Sequence, residues 1–425
     1  MMKSFIILTL LLLFSCNMLA QQSLAYFLSQ AKANNPALAE SNNAQSLVQL
    51  QAKLIDIQNK AIKVNATSEV NFSPYFNNNG SLVSVTNLPN QNATGYDVNV
   101  TNGGLYSAQL NISKNLLNDR AVKNLQFQNS LQIGSNKLTY ELIYHNLEKN
   151  ISDNYVLAYQ LQSQKEFLFN EIIEIKKRVA IVELLTKNGL SQESDYLLVQ
   201  LDLKAKKLEL QQIEANLKSA INQLFSLSNL EATDTSVLIK PNIVIDSNKN
   251  LLFIHQKFNN DSLQLEANRL VFNNQYKPQL NMYANTGVNS TDITRINHHV
   301  GISGGVRLTI PIYDGGQKNI YSQQQQLYQE NLATYRERNK TQLNNNLEML
   351  QIQIAYTQNN MIAINEQLTI QSKIIEVYKT KLASGQVSIL DFLNVSRDYR
   401  LAQFLKIQTQ TNLWLLYNQF NYTNW

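Results

Sequence analysis

In "RLTIPIYDGGQKNIYSQQQQ", Arg307 to Gln326, the chain changes its period. Up to Pro311, Val306, Leu308, Ile310 and Ile312 alternate with Arg307, Thr309 and Pro311, the period of two that suits a strand with one apolar face. After Gly316 a proline-free tract runs to about Leu382. In it Leu343, Leu347, Leu350, Ile354, Thr357, Met361, Ile364 and Leu368 step by three and four, the spacing of a helix with a coiled-coil seam. The residues between, Pro311, Tyr313, Asp314, Gly315 and Gly316, read as a strand-to-helix corner. Asp314 can cap the new helix, and the glycines let the backbone bend. A Gly-rich turn can also cradle a phosphate, so the corner has to be weighed against a ligand loop.

An internal repeat decides this point. "KNGLSQESDYLLVQ" (187–200) resembles "ASGQVSILDFLNVS" (383–396), with Gly189 matching Gly385 and Asp195 matching Asp391, an offset of 196. The same offset aligns Asn216-Leu217 with Asn412-Leu413, and Asn222-Gln223-Leu224 with Asn418-Gln419-Phe420. It sets Asp314 against Asn118, whose following residues, Asp119 and Arg120, lack both glycines. A phosphate cradle common to the two halves is therefore excluded, and a shared corner is expected.

Each half then has one plan. A leading helix is expected over about Leu38–Lys63 and again over about Ser262–Gln275. Strands follow in "LYSAQLNIS", "LNMYAN" and "VRLTIPI", with a weaker fourth around Phe72 in "VNFSPY". A helix runs from about Arg120 to Lys187, and its equivalent from about Gln317 to Leu382; roughly 65 residues at about 1.5 Å each give a rod of about 100 Å. After a Gly turn, helices return over Asp195–Leu224 and Asp391–Phe420. The expected organisation is a signal segment over 1–20, a first repeat over 21–228, a linker over 229–250 and a second repeat over 251–425.

Composition agrees with long helices: 425 residues hold only 13 Gly and 6 Pro. The net charge of +5 is small for this length, which speaks against nucleic-acid binding. "MMKSFIILTLLLLFSCNMLAQQ" has a positive start, an apolar run and Ala20 before Gln21, the pattern of an export signal. Its Leu13-Phe14-Ser15-Cys16 resembles a lipoprotein cleavage box, which makes Cys16 a candidate lipidation site. No later segment offers the roughly 20 apolar residues of a membrane helix. Alternating strands with a wet Asn/Ser-rich face fit a membrane barrel instead.

"IPIYDGGQKN", "ANNPAL" (33–38) and "SGQVSILDFLNVSRDYRLAQ" resemble, in this order, the corner, N-terminal signature and periplasmic helical turn of TolC-like outer-membrane efflux proteins. The resemblance implies a mixed, mainly α fold. In it a homotrimer closes a 12-stranded β-barrel, four strands per protomer, which continues into a periplasmic coiled-coil tunnel. It implies an outer-membrane channel of a tripartite efflux or type I secretion system, with a periplasmic adaptor, an inner-membrane pump of RND or ABC type, and outer-membrane lipid as partners. It places adaptor contacts at Gly189, Leu190, Ser191, Gly385, Gln386 and Val387, and an entrance gate at Asp195, Asp391 and Asn394. The family often has a second acid where Asn394 stands and a base where Val387 stands, so a less charged latch is expected. Three copies of Asp391 in one pore would repel one another and favour cations. The alternative for both Asp residues is a helix N-cap.

The alternative for the whole chain is an exported coiled-coil stalk or adhesin without a pore. A periplasmic adaptor would show one helical hairpin, not two equivalent halves. Enzyme chemistry is not expected. His145, His255, His298 and His299 form no zinc spacing with Cys, Asp or Glu, and no Ser-His-Asp set has local support. "GISGGV" (301–306) precedes no helix and is not a dinucleotide fingerprint. No cofactor or metal is expected. Neither substrate nor pump type is written in the sequence.

Overall fold

The computed structural model describes residues 21–86, 89–95, 104–232, 237–246, 252–291 and 293–425. The signal segment over 1–20, with Cys16, lies outside the described residues. The elements in chain order begin with β1 (Gln21–Gln22), α1 (Leu24–Asn34) and α2 (Pro36–Lys60). Then come β2 (Lys63–Phe72), β3 (Tyr75–Asn78), β4 (Ser81–Ser84) and β5 (Gly104–Asn115). The first helical hairpin is α3 (Asp119–Lys187) and α4 (Glu193–Leu227), followed by β6 (Val237–Leu238) and α5 (Leu252–Asn274). The second half continues with β7 (Gln279–Ser290), a 3-10 turn (Ile293–His298), β8 (Val300–Thr309), α6 (Gln317–Ala383) and α7 (Ile389–Thr423).

The duplication is visible in the elements themselves. Moved by 196, α4 covers the residues of α7, and the last residue of α3 falls on the last residue of α6. The four long strands form one antiparallel sheet in the order β2-β5-β7-β8, two strands from each half, and β5 pairs with β7 across the halves. Three expectations shift at the edges. The second leading helix, expected from about Ser262, already begins at Leu252. The first leading helix stops at Lys60, and Lys63 already opens β2. β8 ends at Thr309, ahead of Pro311, which has no N–H to donate to a ladder. Between β2 and β5 lies an addition the second half lacks, the β3–β4 hairpin, whose turn uses positive φ at Asn79 and Gly80, with Asn77 also at positive φ within β3.

The chain packs as two compact units, each drawing on both halves. One unit takes Ala44–Asn136 and Phe258–Thr334: the strands, their corners and the adjoining helix segments. Here α3 is flanked by α2 and α5 and held largely by amides. Gln126 donates to Asp56 (2.8 Å), Asn124 to Asn274 (2.8 Å) and Gln128 to Asn268 (2.8 Å). The other unit is helical and carries the apolar clusters. In the first of these, Phe27, Ile151, Tyr155, Ala158, Leu224 and Phe225 pack together. The Tyr155 hydroxyl donates to the carbonyls of Gln22 and Ile239 and so ties β1 and β6 to α3 (2.9 and 2.6 Å). Along α6, Leu350, Ile354, Ile364 and Leu368 are buried, the seam expected from their spacing.

Candidate functional site

At the corner before α6, Asp314 accepts from the backbone N–H of Gly316 (2.9 Å) and of Lys318 (2.8 Å). Gly315 and Gly316 take φ +70° and +85°, dihedrals that cost a residue with a Cβ. The Tyr276 hydroxyl and then these N–H groups hold the Asp314 carboxyl below the ordinary aspartate range. Ahead of it, Ile312 and Tyr313 are almost fully exposed. The equivalent corner in the first half is built without glycine. The Asn118 carbonyl accepts from Val122 N–H, and the Asn118 amide donates to the carbonyl of Asn59.

Strand register sorts the sheet into two faces. One carries Val64, Ala66, Val70, Leu110, Ile112, Leu280, Met282, Val300, Ile302, Val306 and Leu308. Yet Val70, Ile302 and Val306 are 73%, 84% and 61% exposed. Leaving such a face in water is costly, at about 25 cal/mol per Å2 of apolar surface. The other face is polar, with Asn65, Thr67, Gln109, Asn111, Asn285 and Ser303. Asn111 donates to Thr67 (2.7 Å), and Ser303 to Asn285. On this face the Tyr283 ring covers Gly305, and the Arg307 guanidinium lies 5.6 Å from its centroid.

At the helical turns, the Gly189 N–H donates to Thr186 O (3.0 Å) and the Leu190 N–H to Leu185 O (2.8 Å). The second turn repeats this, Gly385 to Leu382 and Gln386 to Lys381, at 3.0 and 2.8 Å. Leu190 is 74% exposed, Val387 is partly buried, and Ser191 donates to Asp195 (2.9 Å). Asp195 also accepts from the Gln192 N–H (3.2 Å). Asp391 exchanges bonds with Ser388: its N–H donates to Ser388 Oγ (3.1 Å), and the hydroxyl donates to its carboxylate (2.6 Å). Both aspartates therefore stand at the third position of a returning helix and bond back to its cap residue, Gln192 or Ser388. Asn394 lies exposed one turn further on. Ile175, Val182, Val199 and Ile389 share one apolar cluster, so the two turns are packed side by side.

One feature escaped the sequence reading. A cleft of about 570 Å3 between α3, α6 and α7 is lined by Glu171, Glu174, Arg178, Lys373 and Tyr399. Burial pushes the Glu171 carboxyl up, opposed by Arg400 and Arg178; burial likewise lowers Arg178. Ser396 donates to Glu171 Oε1 at 3.4 Å. The available signal was an asymmetry of the repeat, since the offset of 196 sets Glu171, Arg178 and Lys206 against Gln367, Ile374 and Ala402.

His145 is buried between the rings of Tyr422 and Trp425, at 4.7 and 4.0 Å, in a packing role. His298 closes the 3-10 turn, and His299 follows it. Among the described residues no three His, Cys, Asp or Glu side chains are grouped to hold a metal, and no helix is long and apolar enough to cross a membrane.

The sheet is thus apolar and exposed on one face and polar on the other, and each half adds a pair of long helices. Residues 264–414 match the family model described as outer membrane efflux protein. No curated protein matches. Among solved structures, CusC, studied for folding and transmembrane channel formation, superposes with a TM-score of 0.73 at 14% identity, covering 95% of this chain and 92% of that one. The outer membrane protein VceC of Vibrio cholerae gives 0.71 at 11% identity, covering 94% and 95%. The MtrE outer membrane channel of Neisseria gonorrhoeae gives 0.69 at 12%, covering 94% and 88%. The protein thus has the fold of these outer-membrane channels, and its residues 264–414 match the outer membrane efflux protein model.

Proposed function

We propose that the protein is the outer-membrane channel subunit of a tripartite efflux or type I secretion system, a passive conduit across the outer membrane and periplasm. The carrying observation is the four-stranded sheet, exposed and apolar on one face, polar on the other, with β2 and β8 as free edges. Four strands do not close a pore, since closure takes about eight. Three copies supply a 12-stranded barrel with the polar face lining the lumen. A second seam on α6 supports assembly: Met349, Tyr356, Ala363, Ile370 and Val377 recur every seven residues and are all exposed. Such a stripe suits the helix of another copy.

The turns at Gly189-Leu190-Ser191 and Gly385-Gln386-Val387 form the end that meets a periplasmic adaptor, and Asp195, Asp391 and Asn394 line the entrance. The inner-membrane pump, of RND or ABC type, supplies energy and selects cargo. Residues 21–228 and 251–425 are the two repeats, joined by 229–250. Residues 1–20 direct export, ending in cleavage after Ala20 or acylation at Cys16; the mass of the mature N-terminus decides between these. The channel is tested by extracting outer membranes with detergent. A trimer that conducts ions in planar bilayers is the expected result. Release by salt washing alone overturns it in favour of a stalk or adhesin without a pore.

A further inference from the structure

Register gathers cations at one end of the polar face of the sheet. Lys63 pairs with Ser113, near the end of β5, and Arg307 pairs with Asn281, near the start of β7. Both therefore stand on the polar face, at the end nearer the helices. The Arg307 guanidinium rests on the Tyr283 ring of the same face. That ring lies over Gly305, where a Cβ would meet the Tyr283 hydroxyl at 2.7 Å. The glycine thus lets the ring lie against the sheet and hold the guanidinium there.

Where the sheet ends, a cleft of about 360 Å3 opens. Its strand residues are mainly those of the polar face, Asn115, Gln279 and Asn281, and Arg120 and Lys277 line it from the corners. Lys63, Arg120, Lys277 and Arg307 are all exposed, and none has a carboxylate partner among the described residues. The acids nearby do not offset them. Asp56 is paired with Lys60 at 2.7 Å, and Asp314 accepts from backbone N–H groups. Glu69 shares the polar face but pairs with Ser107, towards the far end of β2. Asp119 adjoins Arg120 in the chain and leaves the cations in excess.

We propose that Lys63 and Arg307, with Arg120 and Lys277 at the end of the same face, form an anion-attracting band in the channel lumen where barrel meets helices, and that this band favours anionic cargo. This deepens the channel reading and rests on it, since the polar face borders a lumen only in the closed barrel. Three copies repeat the cations round the pore. Rings of Lys and Arg favour anions, because low-dielectric walls focus their field on whatever passes. The Asn115, Gln279 and Asn281 amides add neutral donors for anionic oxygens. The band is opposite in sign to the entrance proposed at Asp391. Its effect is therefore read on block by an anion, because both charges contribute to net permeability.

The test uses the purified full-length protein in planar bilayers at about 0.1 M salt, where charges act over about 10 Å. Inorganic tripolyphosphate is added to both chambers, and the concentration that halves the current is measured. The native channel is expected to be blocked, and the Lys63→Gln/Arg307→Gln variant to need about tenfold more of the anion. Arg120→Gln/Lys277→Gln is expected to weaken block in the same direction. Lys114→Gln removes a cation from the opposite, apolar face and is expected to leave block at its native value. Circular dichroism and native gels show that each variant folds and assembles; Arg307→Gln alone gives the same readout if the strand pair does not. Unchanged block in either assembled double variant overturns the proposal. Equal weakening in Lys114→Gln overturns it too, because the effect would then be one of overall charge. A native protein that never conducts refutes the channel reading itself, whereas a conducting channel indifferent to tripolyphosphate refutes only the band.

Discussion

Gly189 and Gly385 hold the same backbone dihedral, φ +72°, 196 residues apart, and each closes the same pair of hydrogen bonds at the end of a long helix. Nothing lies within 4 Å of where a Cβ would stand at either position. The requirement for glycine is therefore conformational and not steric. Replacing either by Ala is expected to destabilise the turn by about 1 kcal/mol. Urea unfolding of the purified protein measures it, and a variant as stable as the parent would remove the left-handed cap from the account.

The open space at Gly385 also allows a docking test. A Trp there bears the same backbone strain as Ala, but its Cβ meets nothing within 4 Å, on the surface proposed to meet the adaptor. Gly385→Trp is expected to abolish efflux in cells that depend on this channel, while the trimer persists in outer-membrane extracts. Normal efflux in that variant would place the adaptor elsewhere.

Asp391 is exposed and tied only to its own turn through Ser388. Three copies around an entrance concentrate negative charge where ions pass. Asp391→Asn keeps the shape of the cap and removes the charge. Cation-over-anion permeability from reversal potentials is expected to fall severalfold. If selectivity holds and only stability drops, Asp391 is a cap and nothing more.

What the sequence disclosed and what it hid follow from the range of each interaction. Alternation in Leu110–Ile112 and in Val306–Leu308 needs only neighbours, so strands were legible, and so was the seam through Leu350 and Ile354. The turn at Gly385 was legible because its copy at Gly189 repeats it. β1 and β6 were not, because two-residue strands have no period; they pair with each other, and Tyr155 and Gln162 on α3 brace them. The half-buried Glu171 and Arg178 stand among the charged residues of an ordinary solvated helix face, and only packing against α7 separates them from it. The division into two compact units was hidden for the same reason, since each joins segments far apart in the chain.

Asp314 predicts a pH dependence. Its carboxyl is held low by Tyr276 and by the N–H groups of Lys318 and Gly316, so its stabilisation is present above the unfolded-state aspartate value of about 3.9. That stabilisation disappears as the pH falls through the lower folded value. Asp314→Ala is expected to lower the Tm at neutral pH, and the gap from the parent should close only in strong acid. A gap that does not change down to about pH 2 would mean that the carboxylate does not cap α6.

Glu171 predicts the opposite slope. Burial raises its pKa against the pull of Arg400 and Arg178, so the folded protein takes up a proton more readily than the unfolded chain. The groups facing it come from three helices: Arg178 on its own, Asp202 and Lys206 on α4, and Arg400 on α7. Stability attached to this group is complete below the unfolded-state glutamate value of about 4.3 and is lost as the pH rises through the folded value. Glu171→Gln fixes the neutral form in nearly the same volume. Relative to the parent, its Tm is expected to improve as the pH is raised from about 4 towards neutrality. If the variant instead loses ground over that window, the Arg178 and Arg400 pairings outweigh the desolvation of the carboxylate, and Glu171 is held charged in the fold.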